Sequence, residues 1–248
     1  MTSISTNPPS PELGDPDAPD QLSPTLHAMQ VGLMVDDDHT EIILVRHAQQ
    51  IRNAGESRRP GGPGLSQFGQ LQAALTGRYL KEDPVSRSIS AAYCSPLNRT
   101  VETASIIISH LAPGLRVTVE PMLEEVDVYS RDHGLPVPRE VQEEAGEWFI
   151  NTLRWDAFPN TETGEELRVR LVTAIEQIAE AHRGETVLVV SHGGAIAALF
   201  AAIVSAGPDM FFFPAHASVH RVRHRGSRFV PQSMNDVGHL RLDDKLTF

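Results

Sequence analysis

Glu41-Ile-Ile-Leu-Val-Arg-His47 is an unbroken apolar run that stops on two basic residues. A strand with one face in water alternates apolar and polar side chains. An unbroken run instead reads as a strand covered on both faces, the habit of parallel sheets packed between helices. Thr186-Val-Leu-Val-Val-Ser191 repeats the pattern and runs into His192-Gly193-Gly194. Ser90-Ala-Ala-Tyr-Cys94 reads as a further strand and Arg116-Val-Thr-Val-Glu120 as another.

Helical periodicity fills the spaces between these strands. Ser66 caps a helix whose apolar face is expected to carry Phe68, Leu71, Leu75 and Tyr79. Ser95-Pro96 has the form of an N-cap followed by proline in the first turn. It opens a helix from Leu97 through Val101, Ala104, Ile107 and Ile108 to about Leu111. A helix over Arg139–Leu153 has Val141, Ala145, Trp148 and Phe149 on one side. Thr163-Gly-Glu-Glu166 matches a capping box and predicts a long helix to about His182. Arg225-Gly226 lies between two alternating stretches and predicts a hairpin. Strands alternating with helices imply an α/β three-layer sandwich, a mostly parallel central sheet flanked by helices.

Residues 1–39 read differently. Pro8, Pro9, Pro11, Pro16, Pro19 and Pro24 lie among Asp15, Asp17, Asp20 and Asp36 to Asp38, an acidic, proline-rich tail expected to be disordered. Met34 offers an internal start. The folded domain is expected over 40–248, with 126–162 as a lid-like segment. The formal charge of −11 argues against a nucleic-acid partner, which needs a basic face to replace counterions. No apolar run is long enough to span a bilayer, and the N-terminus lacks the basic start and apolar block of a secretory signal. Cys94, the one cysteine, cannot form an internal disulfide or a cysteine metal cluster, and points to a reducing cytoplasm.

Ligands of open α/β sheets sit beyond the carboxyl ends of the strands. There the topology gathers Arg46, His47, Arg99 and His192, with helix N-termini that favour an anion. A neutral imidazole is a competent nucleophile toward phosphorus. Two guanidiniums grip phosphoryl oxygens with paired hydrogen bonds, and a second histidine, if protonated, adds charge as the transition state forms. A carboxylic acid must then protonate the departing alkoxide.

The motifs around these residues occur in a recognisable order. Leu44-Val-Arg-His-Ala-Gln-Gln-Ile-Arg-Asn53, Gly64-Leu-Ser-Gln-Phe-Gly-Gln70 with Ala73, Ser95-Pro-Leu-Asn-Arg-Thr-Val-Glu-Thr-Ala104, Gly164-Glu165, Val190-Ser-His-Gly-Gly194 and Asn235-Asp-Val-Gly-His-Leu240 together resemble the histidine phosphatase superfamily, the phosphoglycerate mutase-like proteins. The resemblance implies a metal-independent phosphatase acting through a phosphohistidine, with no cofactor. It makes His47 the nucleophile, His192 its catalytic partner, and Arg46, Asn53, Arg99 and Gly193 phosphate binders. It gives the acid to Glu125 of Leu123-Glu-Glu125, with Glu124 adjacent and Asp127 more distant as competitors. Ala48 stands where the family usually has glycine, and Gln50 where it often has serine or threonine. The implied partner is a small phosphorylated molecule or a phosphoprotein.

Two other readings stay in play. Phosphoglycerate mutase-type transfer is disfavoured because Val126-Asp-Val-Tyr129 replaces the basic and aromatic run that grips that substrate. A catalytically weak phosphate- or protein-binding module needs no nucleophile. Gly61-Gly-Pro-Gly64 is not a dinucleotide fingerprint, since Gln67 stands where the last glycine belongs. His216, His220 and His224 recur every four residues, but no carboxylate or cysteine nearby completes a metal site. They are expected on an exposed edge strand with Arg221, Arg223, Arg225 and Arg228, a hairpin through which two copies could pair. Arg58 and Arg59 are candidate contacts for an acidic substrate.

Overall fold

The computed structural model describes residues 23–35, 38–52, 60–129, 137–241 and 244–248. Asn53, Arg58 and Arg59, singled out in the sequence, lie outside the described residues. Two compact units are present, Met1–Asp37 and Asp38–Phe248.

The first unit contains α1 (Pro24–Gly32), within the stretch expected to be disordered. Ser23 accepts a hydrogen bond from Leu26 N–H and Pro24 occupies the first turn, so a local cap and a preset φ start the helix. None of its residues is buried.

In the second unit β1 (Thr40–Arg46) is the middle of the sheet and every one of its residues is buried. It pairs in parallel with β4 (Thr186–Ser191) and antiparallel with β5 (Val219–Arg225). Beyond β4 come β2 (Ile89–Cys94) and the short β3 (Val117–Val119), both parallel. Beyond β5 comes β6 (Arg228–Asp236), antiparallel. The six-stranded order is β3-β2-β4-β1-β5-β6.

The apolar runs are unbroken because both faces are covered. Ile42, Leu44, Val187 and Val189 pack against α5 (Gly164–Ala181) and α6 (Gly193–Ile203). Ile43, Val45, Leu188 and Val190 pack on the other face against α3 (Asn98–Leu111) and Leu80 of α2 (Gln67–Glu82). The expected three-layer α/β sandwich is therefore observed. The capping box of Thr163 and Glu166 is present at the start of α5. The helix expected near Arg139 is α4 (Arg139–Thr152), of which only Ala145 is buried. A short α7 (Gly238–Arg241) follows β6.

Three expectations are corrected. In α2 the buried face is Gly69, Gln72, Ala73, Thr76, Gly77 and Leu80, and Leu71 is 54% exposed. Small and polar residues point inward because the backbone approaches its neighbours closely. A Cβ on Gly69 would run into the carbonyl of Gln49, and one on Gly77 would lie 3.1 Å from the carbonyl of Ile107. Gln72 is satisfied by accepting from Gln49 N–H at 2.9 Å. Second, α3 starts at Asn98 with Leu97 as its cap and no side-chain capping bond. The Ser95 hydroxyl is taken by His192 and Thr100 instead. Third, β5 is not the sheet edge, since β6 covers it. Its histidines are consequently buried, with His216 just before the strand also enclosed.

Candidate active site

The register of the central pair places Arg46 beside Ser191. The next residues, His47 and His192, therefore leave the sheet side by side, with ring centroids 5.2 Å apart in an edge-on arrangement. Both are buried. The Nδ1 of His47 lies 2.8 Å from its neighbour's carbonyl, that of Ala48. A carbonyl only accepts, so Nδ1 carries the hydrogen and the Nε2 lone pair is left for chemistry. The loop is braced by Thr103, which accepts from Ala48 N–H at 3.0 Å and donates to the Arg99 carbonyl.

His192 caps α6 and its Nε2 lies 2.7 Å from the Ser95 hydroxyl, while its Nδ1 is buried and without a partner among the described residues. Ser95 thus serves the second histidine and Thr100 in the first turn of α3, with a longer contact from the Leu97 N–H at 3.4 Å. Burial first, then the nearby Arg99 and Arg46, hold the His192 pKa well below 6.5. That direction favours the neutral imidazole, which acts as a hydrogen-bonding group. The His47 pKa is likewise held well below 6.5, by burial and then by His192, Arg99 and Arg46. A nucleophile gains from that shift, because the reactive form is the neutral one.

Arg46 is anchored from below. One terminal nitrogen donates to the Pro214 carbonyl and the other lies 3.2 Å from His216 Nε2, while its Nε is buried and unpartnered. The Nε of Arg99 is also buried and unpartnered. Unmet buried donors on two guanidiniums beside two histidines suit an oxyanion. Burial lowers both arginine pKa values, Arg46 to about 10, so both remain charged at neutral pH. Gly193 starts α6 where a Cβ would stand 3.2 Å from Arg46 Nε, so a side chain there would crowd the guanidinium. The loop at 60–64 is pinned over α3 by Asn98, which donates to the carbonyls of Pro60 and Gly62.

Glu125 closes the other side. Its carboxylate accepts from the N–H groups of Gly194 and Ala195 at 3.0 and 2.8 Å. These α6 donors, expected to face a phosphate, are filled by the carboxylate instead. Burial raises the Glu125 pKa above 4.5 despite the opposing pull of those N–H groups and Arg46. Gly194 is required at this contact: a Cβ would lie 2.6 Å from Glu125 Oε1 and 2.7 Å from the Trp155 ring. Of the two adjacent glutamates, it is Glu125 whose side chain is brought to His192's helix.

Residues not singled out from sequence complete the frame. Arg170 on α5 pairs with Glu162 at 2.7 Å and donates to the carbonyls of Met122 and Glu124, fixing the segment that carries Glu125. Ser191 donates to the Leu123 carbonyl at 2.8 Å. No local pattern marks Arg170, since its partners are 8 to 48 residues away. His220 also proves structural: it accepts from Asn235 N–H on Nδ1 and so donates from Nε2 to Ser218. Among the described residues no group of histidines, cysteines and carboxylates is arranged to hold a metal.

Paired histidines and arginines at parallel strand ends, faced by a buried carboxyl, suit an oxyanion such as a phosphoryl group. Comparison with known proteins agrees. The chain belongs to the histidine phosphatase superfamily (branch 1), which it matches over residues 42–237. It is 34% identical over 212 residues to the metal-independent phosphoserine phosphatase of Arabidopsis thaliana, covering 83% of this chain and 85% of that one. It is 28% identical over 218 residues to a probable phosphoglycerate mutase, GpmB, of Yersinia enterocolitica, covering 81% and 94%. The solved structure of Bacillus stearothermophilus YhfR superposes with a TM-score of 0.66 at 24% identity, over 81% of this chain and 99% of that one. The chain is thus a phosphatase of this superfamily. Among its described residues no helix is long and apolar enough to cross a membrane.

Proposed function

We propose that the chain hydrolyses small phosphate monoesters through a phosphohistidine on His47, without a metal or cofactor. The observation that carries this reading is the Ala48 carbonyl on His47 Nδ1, which leaves the Nε2 lone pair for chemistry in a site that also holds the unmet Nε donors of Arg46 and Arg99. The Nε2 lone pair forms the P–N bond as the P–O bond to the leaving group breaks. Glu125, whose pKa burial raises, gives its proton to the departing oxygen. Water then attacks phosphorus, Glu125 takes its proton, the P–N bond breaks and inorganic phosphate leaves. Arg46, Arg99 and His192, with Gly193 and Asn53, hold the phosphoryl oxygens, so the charge that develops meets fixed donors.

The domain that does this spans 40–248, with 126–162 as the lid over the leaving group. The likeness to a phosphoserine phosphatase makes phosphoserine the first substrate to try, ahead of a phosphoprotein. A reducing, cytoplasmic location fits the sole cysteine, which is buried and whose thiol burial pushes up to about 11. The mutase-named relatives support one second reading, phosphoryl transfer between positions of a phosphoglycerate.

The test is turnover of a generic aryl phosphate in excess chelator, wild type against His47→Ala, followed by phosphoserine and 3-phosphoglycerate. Chelator-resistant hydrolysis lost in the variant is expected. Isomerisation of the phosphoglycerate without net phosphate release would install the mutase reading. An unreactive wild type would remove the hydrolytic one.

A further inference from the structure

The histidines of the β5 region are not a metal site, and one of them touches the phosphate pocket. His216 is buried, its ring centroid is 5.6 Å from that of His47, and its Nε2 is 3.2 Å from a terminal nitrogen of Arg46. A guanidinium has only hydrogens to offer, so Nε2 must carry the lone pair. Nδ1 therefore carries the hydrogen, and it faces Thr247 Oγ1 at 3.0 Å. That oxygen also accepts from Gln72 Nε2 at 2.9 Å, while the Gln72 Oε1 takes the N–H of Gln49, two residues after the nucleophile. The His216 backbone N–H donates to the Thr247 carbonyl at 2.9 Å, so ring and main chain are held by the same residue.

Every proton in this chain of contacts has one direction. Arg46 donates to His216, His216 donates to Thr247, and Gln72 donates to Thr247 from the other side. The Pro214 carbonyl takes the second terminal nitrogen of Arg46. The guanidinium is thus held at both terminal nitrogens, and its buried Nε has no partner among the described residues. Phe213 underlies the same guanidinium at 5.1 Å and is itself stacked on Phe248.

We propose that His216, oriented by Thr247, is a positioning residue that sets the angle of Arg46 for the phosphoryl group. The C-terminal segment 245–248 thereby acts on phosphate affinity through His216 and Arg46 rather than through His47 or His192. This rests on the reading of the pocket as a phosphate site, and the test separates the two.

Glutamine and asparagine split the two ends of the imidazole. His216→Gln places a carbonyl oxygen near the position of Nε2 and preserves the acceptor for Arg46. His216→Asn places its amide near Nδ1, preserves the contact with Thr247 and loses Arg46. Inorganic phosphate binding to the full chain by calorimetry, with KM and kcat for an aryl phosphate, is the readout. Phosphate affinity in the asparagine variant is expected to fall about tenfold, with the glutamine variant within about threefold of wild type. A residue that only braced the C-terminal segment would give the opposite order, and that order would overturn the proposal. Thr247→Val gives a second route that leaves the imidazole in place: the expected loss is about threefold, the weaker effect of freeing the ring rather than removing it. Unchanged affinity in Thr247→Val, should both His216 variants fail to fold, would likewise overturn it. A wild type that binds phosphate but does not turn over aryl phosphate would fail the hydrolytic reading alone, and the ordering of the variants would still decide this one. A wild type that binds no phosphate would end both.

Discussion

The two halves of the pocket are built in different ways. The phosphate half rises from strand ends in the middle of the sheet, where Arg46, His47 and His192 are buried and their segments are tied to the core by several hydrogen bonds. In the segment proposed as the lid over the leaving group, α4 buries one residue and Trp148 stands 44% exposed. Its inner wall is a small aromatic group, with the Trp155 ring centroid 5.0 Å from that of Phe149 and 6.1 Å from that of Phe158. The strand-end half does the same job on any monoester. The outer half meets the part of the substrate that differs between monoesters. A rigid half for the common group and a lightly anchored half for the variable group is what a fold needs to keep one chemistry while changing substrates.

The largest break in that contrast is His47→Ala, expected to lower aryl phosphate turnover by on the order of 10⁴-fold, since it removes the atom that forms the P–N bond. Arg99→Ala comes next, with a loss of about 10²- to 10³-fold in kcat/KM for every monoester tried, because it removes charge met by all of them. Glu125→Gln sharpens the contrast by splitting substrates. Turnover of an alkyl phosphate should fall by about 10²- to 10⁴-fold, while an aryl phosphate with a good leaving group should lose roughly tenfold. A uniform loss across leaving groups would remove Glu125 from the role of acid.

The pH profile follows from the same two residues. His47 must be deprotonated, so the acid limb of kcat/KM falls below 6.5, in the direction of its lowered pKa. Glu125 must be protonated, so the alkaline limb lies above 4.5, in the direction of its raised pKa. With ordinary values the productive form would be a minor one; the two shifts bring the working windows toward overlap. In Glu125→Gln the alkaline limb should disappear and the acid limb remain. The smallest effect concerns stability. Leu188→Ala, in the sheet core, should cost about 2–5 kcal/mol in urea unfolding, and Trp148→Ala about 1 kcal/mol or less.

What is legible in the chain tracks this division. Strands buried on both faces announce themselves as unbroken apolar runs, and the residue after each run is where chemistry belongs. That logic brings Arg46, His47, Arg99 and His192 together. It fails where the signal is not local. The inward face of α2 includes Gly69, Gln72, Thr76 and Gly77 because of what packs against it, and periodicity of apolar residues selects a flank on which Leu75 and Tyr79 are half-buried and Leu71 is exposed. Ser95 has the form of a cap because Ser-Pro often is one; its hydroxyl is claimed by His192 instead, 97 positions along. His216 resembles part of a metal repeat on an outer strand, yet it lies before β5, buried between Arg46 and Thr247. The charge of the second histidine is not legible in the chain either, because it depends on burial and on two arginines, Arg99 and Arg46, that lower its pKa.

The parallel pairing of β1 with β4 has a consequence for how this site tolerates change. Adjacent strands stand about 4.8 Å apart whatever their side chains. The 5.2 Å between the His47 and His192 rings is close to that spacing. The backbone ladder is therefore the ruler that sets the spacing of the two histidines, and the Ala48 carbonyl and the Ser95 hydroxyl fix the orientation of each ring. Such a ruler is insensitive to substitution in the core but intolerant of length. Deleting one residue from β4 would turn His192 to the opposite face of the sheet while leaving every apolar neighbour a plausible residue for a strand.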